Sequence, residues 1–541
     1  MDPLVISYLE KSNEYNDMPS FGHLLMENLS KAENNVILVS GITSEELTAK
    51  NLLERSILVS KALIAAGVKP GDVISIVSEN RFEFAYILFG TLLLNCKFAP
   101  INLTYSEREM THAFNLSKPK VIFLSPYASE KVINVAKSLS FVKKKVLIDE
   151  ENDFTDDVVL FKDFIKQTER SHFTPMAVDK SKTVALILCS SGTTGLPKGV
   201  QISQQNLIVV ARFCKNTVMR LGDIEGERVI LGLIPWFHAF GLTTLAGIVA
   251  SRSGRIVLLP KFEEGLFLSC LETYQCNVVF MVPPLMVFLA KHPMVDGYDL
   301  SSIRIMVCGA APLSKELEQA VYDRLQNKKL HIRQGYGMSE MSLAVLLQKT
   351  ICKPGSVGEI IEGSEVKIID ESGKSLGPNE RGELCFRGNQ IMMGYIGDDK
   401  ATKSTIDANG WLHTGDIGYY DEDKQFFIVD RIKELIKWKG YQVPPAEIEA
   451  VLLTNRKIKD AAVIGIPDSN VGELPLAFVV KADESLTEEE VMQFVAKTVS
   501  PAKRLHGGVK FINEIPKNPS GKILRRELRD LVKQSNVKSK L

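Results

Sequence analysis

A chain of 541 residues with 45% hydrophobic and 24% charged side chains has an ordinary globular mix. It has room for about three or four folded units, which excludes disorder, collagen and a disulfide scaffold as descriptions of the whole. Its 65 basic and 65 acidic side chains cancel, so no general electrostatic pull draws it to nucleic acid or to an anionic membrane. No apolar run approaches the ~20 residues that cross a bilayer, and the start Met1-Asp-Pro-Leu lacks the pattern of a secretory signal. The eight cysteines include no C-x-x-C and the eight histidines no H-E-x-x-H, so most cysteines read as small buried hydrophobes rather than metal ligands or disulfides.

In chain order, Leu52–Ala66 has apolar residues at helical spacing and ends at Gly67-Val-Lys-Pro-Gly71. Asp72–Val77 reads as a strand, Phe82–Leu94 as an apolar helix and Lys120–Leu124 as a second strand. This alternation predicts βαβ units and a largely parallel, covered sheet. A further strand series follows at Thr183–Leu188, Arg228–Ile234, Arg255–Leu259, Asn277–Val282 and Ile303–Val307. After residue 350, Gly, Pro, Asp and Lys become frequent, as expected of a smaller β-rich subdomain over 350–429. The charged run from Asp430 marks a boundary, and α/β alternation then resumes to about residue 530. The expected fold class is α/β, with residues 1–429 as a large unit and 430–541 as a smaller one able to hold its own core.

Five segments carry chemistry. Ser190-Ser-Gly-Thr-Thr-Gly-Leu-Pro-Lys-Gly199 follows a predicted strand and precedes a helical stretch. Gly192 and Gly195 let the backbone bend so that successive N–H groups converge on one anion. Ser190, Ser191, Thr193 and Thr194 add hydroxyl donors, and Lys198 adds a point charge. The segment is neither a Walker A loop nor G-x-G-x-x-G, and its plain alternative is a flexible Ser/Gly turn.

In Gln334-Gly-Tyr-Gly-Met-Ser-Glu340, Gly335 and Gly337 allow close backbone approach and Tyr336 offers a flat face to a base. Glu340 is a hard oxygen ligand suited to Mg²⁺; alternatively this is a turn with one exposed acid. Upstream, Gly309, Ala310 and Ala311 are small enough for a planar ring to slide against the backbone. In Gly410-Trp-Leu-His-Thr-Gly-Asp416 the acid can accept both hydroxyls of a ribose, or simply cap a β-turn. Asp430–Val443 and Asn518-Pro-Ser-Gly-Lys522 complete the set, with Lys522 on a turn just before the helical Leu524–Leu531.

In this order and spacing the five segments resemble the adenylate-forming superfamily of acyl-CoA synthetases, 4-coumarate–CoA ligases and beetle luciferases, over about residues 35–530. Pro235-Trp-Phe-His238-Ala-Phe240-Gly, Lys261–Phe267 and Asp430–Val443 look most like its luciferase-like insect branch, which also ends in Ser-Lys-Leu. The resemblance implies a large N-terminal domain and a mobile C-terminal lid hinged at Asp430. It also implies two half-reactions: a carboxylate attacks the α-phosphate of MgATP, and coenzyme A then displaces AMP.

By the same resemblance Lys522 bridges carboxylate and α-phosphate, where stabilising developing charge is often the largest catalytic term. Glu340 and Thr194 contact Mg²⁺, and Asp416 and Arg431 hold the ribose. Tyr336 and Gly309–Ala311 flank adenine, while Gln334, Gly335, Gly337 and Ser339 complete the nucleotide site. His238 lies near the carboxylate entry; without the resemblance it would read as a satisfied core histidine. Lys437 and Gln442 serve the second step from the other face of the lid, so two lid poses are required.

Arg212, Phe240 and Thr244 match the wall of the acid pocket, and Leu343 stands where luciferases carry a hydroxyl residue. A leucine there suits an alkyl chain, so the expected substrate is a medium- or long-chain fatty acid. A luciferase, an aryl-CoA ligase and a non-catalytic nucleotide-binding homologue are the alternatives. The last three residues, Ser539-Lys540-Leu541, read as an address for the peroxisomal import receptor, which gives the expected location.

Overall fold

The computed structural model describes residues 4–8, 13–149, 158–166, 173–190, 197–222, 224–252, 254–468, 470–518 and 521–538. They form four sheets with helices packed on and between them. The first sheet has eight strands. Lys97–Pro100, Val73–Val77, Val121–Leu124, Lys144–Leu147 and Val158–Leu160 run parallel in that spatial order. Val73–Val77 is buried along its whole length, so it reads as an unbroken apolar run rather than an alternation. Helix Phe82–Leu93 is buried at every residue except Glu83, which is why it is apolar on all sides.

The second sheet has nine strands, and its middle is parallel: His331–Gly337, Ile305–Cys308, Val278–Met281, Val229–Gly232, Arg255–Leu258 and Val36–Ser40. The chain is therefore mixed α/β with covered, largely parallel sheets, as the alternation predicts. One local expectation fails. Strand Lys198–Ser203 follows the hydroxyl-rich segment and pairs antiparallel with Val184–Ser190, Lys198 opposite Ser190. The segment thus closes a hairpin instead of leading into a helix. Val200 and Ile202, two apart, point into the core and fix the strand period. The helix starts only at Gln204, after a capping box in which Ser203 and Asn206 bond each other's backbone N–H.

The third sheet is antiparallel throughout and joins Ile6–Tyr8, Ser364–Ile369, Gly382–Gly388, Leu412–Tyr420 and Phe426–Arg431. Its edge strand comes from the other end of the chain, so this β-rich layer is not built from one continuous stretch. Beyond Arg431 a fourth sheet holds Ile436–Trp438, Tyr441–Val443, Ile458–Asp468, Gly472–Lys481 and Val509–Phe511. Helices Pro445–Leu453, Glu488–Thr498 and Arg525–Lys538 accompany it. A separate apolar cluster that includes Ile436, Ile448, Val463, Val479 and Val491 forms its core.

Candidate active site

Parallel strands leave their open hydrogen-bonding ends at the carboxyl edge, where crevices form. Here Cys308 pairs in register with Gln334, so Gly309 and Ala310 face Gly335, Tyr336 and Gly337 across the mouth of a cavity. Gly337 has no substitute: a Cβ there would fall 1.9 Å from the carbonyl oxygen of Leu343. Ala310 (φ 69°) and Ser342 (φ 63°) hold left-handed backbone on either side, the kind of strain that concentrates at functional sites. Deeper in, Phe213, Val218, Phe280, Val307, Leu343 and Leu347 make the walls apolar.

Helix Ala239–Ser251 supplies one wall. Phe240 and Thr244, four residues apart, share its cavity face, and Phe240 packs edge-on to Phe280 at 5.8 Å. Thr243 satisfies its hydroxyl on Ala239 O, whereas Thr244 Oγ1 is buried with no partner among the described residues. His238 caps this helix: its Nδ1 accepts from Phe240 N at 3.3 Å, so the neutral ring carries its proton on Nε2. Burial, with a smaller contribution from the Lys522 charge, pushes its pKa down to about 4, so the ring is a neutral hydrogen-bond donor.

At the cavity mouth Asp416 accepts from the Tyr336 hydroxyl at 2.6 Å, and Arg431 Nε lies 3.4 Å from its other oxygen. Arg431 is the residue opposite Asp416 in the third sheet. Burial raises the Asp416 pKa against the pull of Arg431, Tyr336 and Lys522. Glu383 holds the turn before it: Oε1 accepts from Gly415 N at 2.9 Å and Oε2 contacts His413 Nδ1 at 3.0 Å. Sequence reasoning missed Glu383. The only available signal was its place in a strand two residues before Cys385, and that says nothing of a contact 32 residues away.

Lys522 comes to this site from the C-terminal unit. Asn518 Oδ1 accepts its backbone N–H at 2.9 Å, and Gly521 turns the chain at φ 79°. Burial lowers its pKa to about 8; Arg431 repels its charge while Asp416 and Glu434 attract it. Asp430, at the boundary, accepts from Arg431 N and from Ala446 N in the first turn of helix Pro445–Leu453, tying the boundary to the C-terminal unit. Lys437 and Gln442 face each other across the hairpin of Ile436–Trp438 and Tyr441–Val443, are exposed, and do not line the cavity. This pose therefore brings one of the two basic residues to the cleft and leaves the other outside it.

Glu340 is buried, and its Oε1 accepts from the Tyr395 hydroxyl at 2.9 Å. Lys198 Nζ sits 4.6 Å above the ring of Tyr395. Tyr395, also missed in the sequence, thus links the acid to the base of the hairpin that Ser190 and Lys198 close. Ser191, Gly192, Thr193, Thr194 and Gly195 lie outside the described residues. Ser339 lines the cavity beside Gly337.

Three expected site residues are placed elsewhere. Gln334 is 3% exposed, and its amide donates to Glu318 Oε2 at 3.0 Å instead of facing the cavity. Ala311 lies beyond Gly309 and Ala310 and does not line the cavity. Arg212 turns its guanidinium to the N-terminal segment, donating to Asn16 Oδ1 at 2.8 Å, while its neighbours Phe213 and Cys214 line the cavity.

The family model for AMP-binding enzymes matches residues 25–396, and that for the AMP-binding enzyme C-terminal domain matches residues 447–522. Luciferin 4-monooxygenase of Nipponoluciola cruciata is 41% identical over 511 residues, covering 93% of this chain and 92% of its own. Probable 4-coumarate–CoA ligase 2 of Dictyostelium discoideum is 37% identical, covering 94% of each chain. The anthranilate CoA ligase AuaEII, solved in complex with anthranoyl-AMP, shares the fold with a TM-score of 0.88 over 96% of this chain and 98% of its own, at 22% identity.

Proposed function

The chain belongs to the AMP-binding enzyme family, and on that premise we propose that it activates a medium- or long-chain fatty acid in two steps, first with ATP and then with coenzyme A. The observation that carries this reading is the seating of the Lys522 turn against the N-terminal region, Gly521 on Pro284, where its charge acts on both His238 and Asp416. In the first step a carboxylate oxygen attacks the α-phosphorus of ATP and pyrophosphate leaves. Both reactants are anionic, and a buried ammonium offsets their repulsion more strongly than one in water. The Nε2–H of neutral His238 is free of the helix cap and donates to the acid's carboxyl group. Asp416 and Arg431 receive the ribose. In the second step the thiol sulfur attacks the acyl carbon and AMP departs, with Lys437 and Gln442 brought in by a rotated lid.

Glu340 fits a hard divalent cation. It is a buried carboxylate with one oxygen engaged by Tyr395 and no hydrogen bond to the other among the described residues. Mg²⁺ held there would offset the charge of the leaving pyrophosphate.

The apolar walls, with Leu343 among them, support an alkyl acid. One observation favours a second reading. The unpartnered hydroxyl of Thr244 would pair with a polar atom of an aryl or luciferin-like acid, and luciferin 4-monooxygenase and 4-coumarate–CoA ligase relatives fit that chemistry. Incubation with ATP, Mg²⁺, coenzyme A and a panel of acids, with the acyl-CoA identified by mass, decides between them. Faster turnover of 4-coumarate or luciferin than of the fatty acids would reverse the assignment, and photon counting with luciferin and ATP tests light emission. We also propose a peroxisomal location from Ser539-Lys540-Leu541, which lie outside the described residues. Removing the three residues from a fluorescent fusion should abolish its import.

A further inference from the structure

The N-terminal region meets the C-terminal unit along helix Pro283–Lys291. At the start of this helix Gly521, the residue before Lys522, rests on Pro284: a Cβ on Gly521 would lie 3.0 Å from Pro284 Cγ. At its end Lys291 donates Nζ to two carbonyl oxygens of the C-terminal unit, Leu453 at 3.0 Å and Ile458 at 3.1 Å. Leu453 is the last residue of helix Pro445–Leu453, so its carbonyl has no partner inside the helix and lies at the negative end of the helix dipole. Ile458 opens strand Ile458–Asp468, and Asp460 on that strand attracts the ammonium further while pairing with Lys517.

We propose that Lys291 is a latch that holds the C-terminal unit in the pose that delivers Lys522. The inference rests on the two-step reading above and adds a residue that sets the balance between the steps. Rotation of the lid must release both carbonyls, so the contact exists in one pose and is lost in the other. A ligand or contact shifts a two-state equilibrium only by its difference between the states, and here the whole interaction counts as that difference. Lys291 therefore acts as a positioning residue for the first half-reaction and touches no substrate.

The experiment separates the half-reactions. Lys291→Met keeps the apolar stem and removes the charge and the donors, while Lys291→Arg keeps both. The expected result is a fall of at least about tenfold in acid-dependent ATP–pyrophosphate exchange for the Met variant, in line with loss of the two charge-assisted hydrogen bonds. Transfer to coenzyme A from supplied acyl-adenylate should be unchanged or faster, the unfolding temperature unchanged, and exchange partly restored by Arg. Exchange equal to the parent's in the Met variant, or an equal fall in both half-reactions, overturns the latch. Absence of exchange in the parent with every acid would instead overturn the two-step reading, and the latch with it.

Discussion

Tyr336 donates to Asp416 across 2.6 Å and so joins the second sheet to the third at the mouth of the cavity, 80 residues apart in the chain. The bond orients the carboxylate read here as the ribose acceptor. Tyr336→Phe removes the donor and leaves the ring. The expected result is a KM for ATP raised about three- to tenfold with kcat little changed, about 0.7–1.4 kcal/mol, which is less than the about 1.5–3 kcal/mol of a hydrogen bond to a charged group because this bond orients the carboxylate and does not itself touch ATP. Pyrophosphate exchange at varied ATP measures it; a kcat loss with constant KM would remove Tyr336 from ATP binding.

The pH profile follows from two basic groups. Burial lowers the pKa of Lys522 to about 8, so the ammonium needed for acid activation is present below that value and is lost as pH rises through it. The rate constant kcat/KM for exchange should therefore fall about tenfold per unit above about pH 8. His238, at about 4, stays neutral and adds no limb near neutrality. Lys522→Arg should move the upper limb beyond pH 10, at a lower overall rate, because a guanidinium stays charged there. The same shift bears on docking. A lysine whose docked pKa is lowered opposes docking fully below about pH 8, and the opposition fades as pH rises toward 10.5. A profile flat to pH 10 would show that Lys522 is not the titrating group.

Glu340 and Tyr395 make the metal reading testable. Glu340→Gln keeps the size and a carbonyl oxygen for Tyr395 but removes the charge. The Mg²⁺ concentration giving half-maximal exchange should rise at least about tenfold, the expected result of losing a charged oxygen ligand. Tyr395→Phe should raise it less. An unchanged Mg²⁺ requirement in Glu340→Gln would rule Glu340 out as the ligand.

Three residues beyond Lys522, Arg525 is fixed by Glu449, at 2.7 and 2.9 Å from its two oxygens, and donates Nε to Val463 O. Glu449 is 8% exposed. Breaking such a pair strands a buried charge, so Glu449→Ala should destabilise the C-terminal unit by about 3–5 kcal/mol. The double change to methionine at both positions should recover much of that. Denaturant unfolding followed through Trp438 fluorescence reads both.

The long, strongly patterned elements were legible in the sequence. Val73–Val77 and Ile305–Cys308 announce themselves as apolar runs, and Phe82–Leu93 as a buried helix, because period and burial coincide there. The Lys522 turn and the glycines flanking Tyr336 were legible because chemistry dictates residue type at those points. That Gln334 donates to Glu318, on a preceding helix, was not legible, because no local pattern reports such a contact. Arg212, carried over with Phe213 by the resemblance, donates instead to Asn16, a contact 196 residues away that no local pattern reports. The strand Lys198–Ser203 carries its period-two signal on only two apolar residues, Val200 and Ile202, and the longer helical pattern that follows it overshadowed them.

Strand Ile6–Tyr8 is three residues long, yet it borders the layer that carries Asp416 and Arg431. Ile6–Tyr8 thus pairs the otherwise open edge of that sheet along Ser364–Ile369, three strands from the strand of Asp416. Deleting these three residues would bare the backbone donors and acceptors of Ser364–Ile369, and should show itself as a lowered unfolding temperature and a greater tendency of copies to stick together.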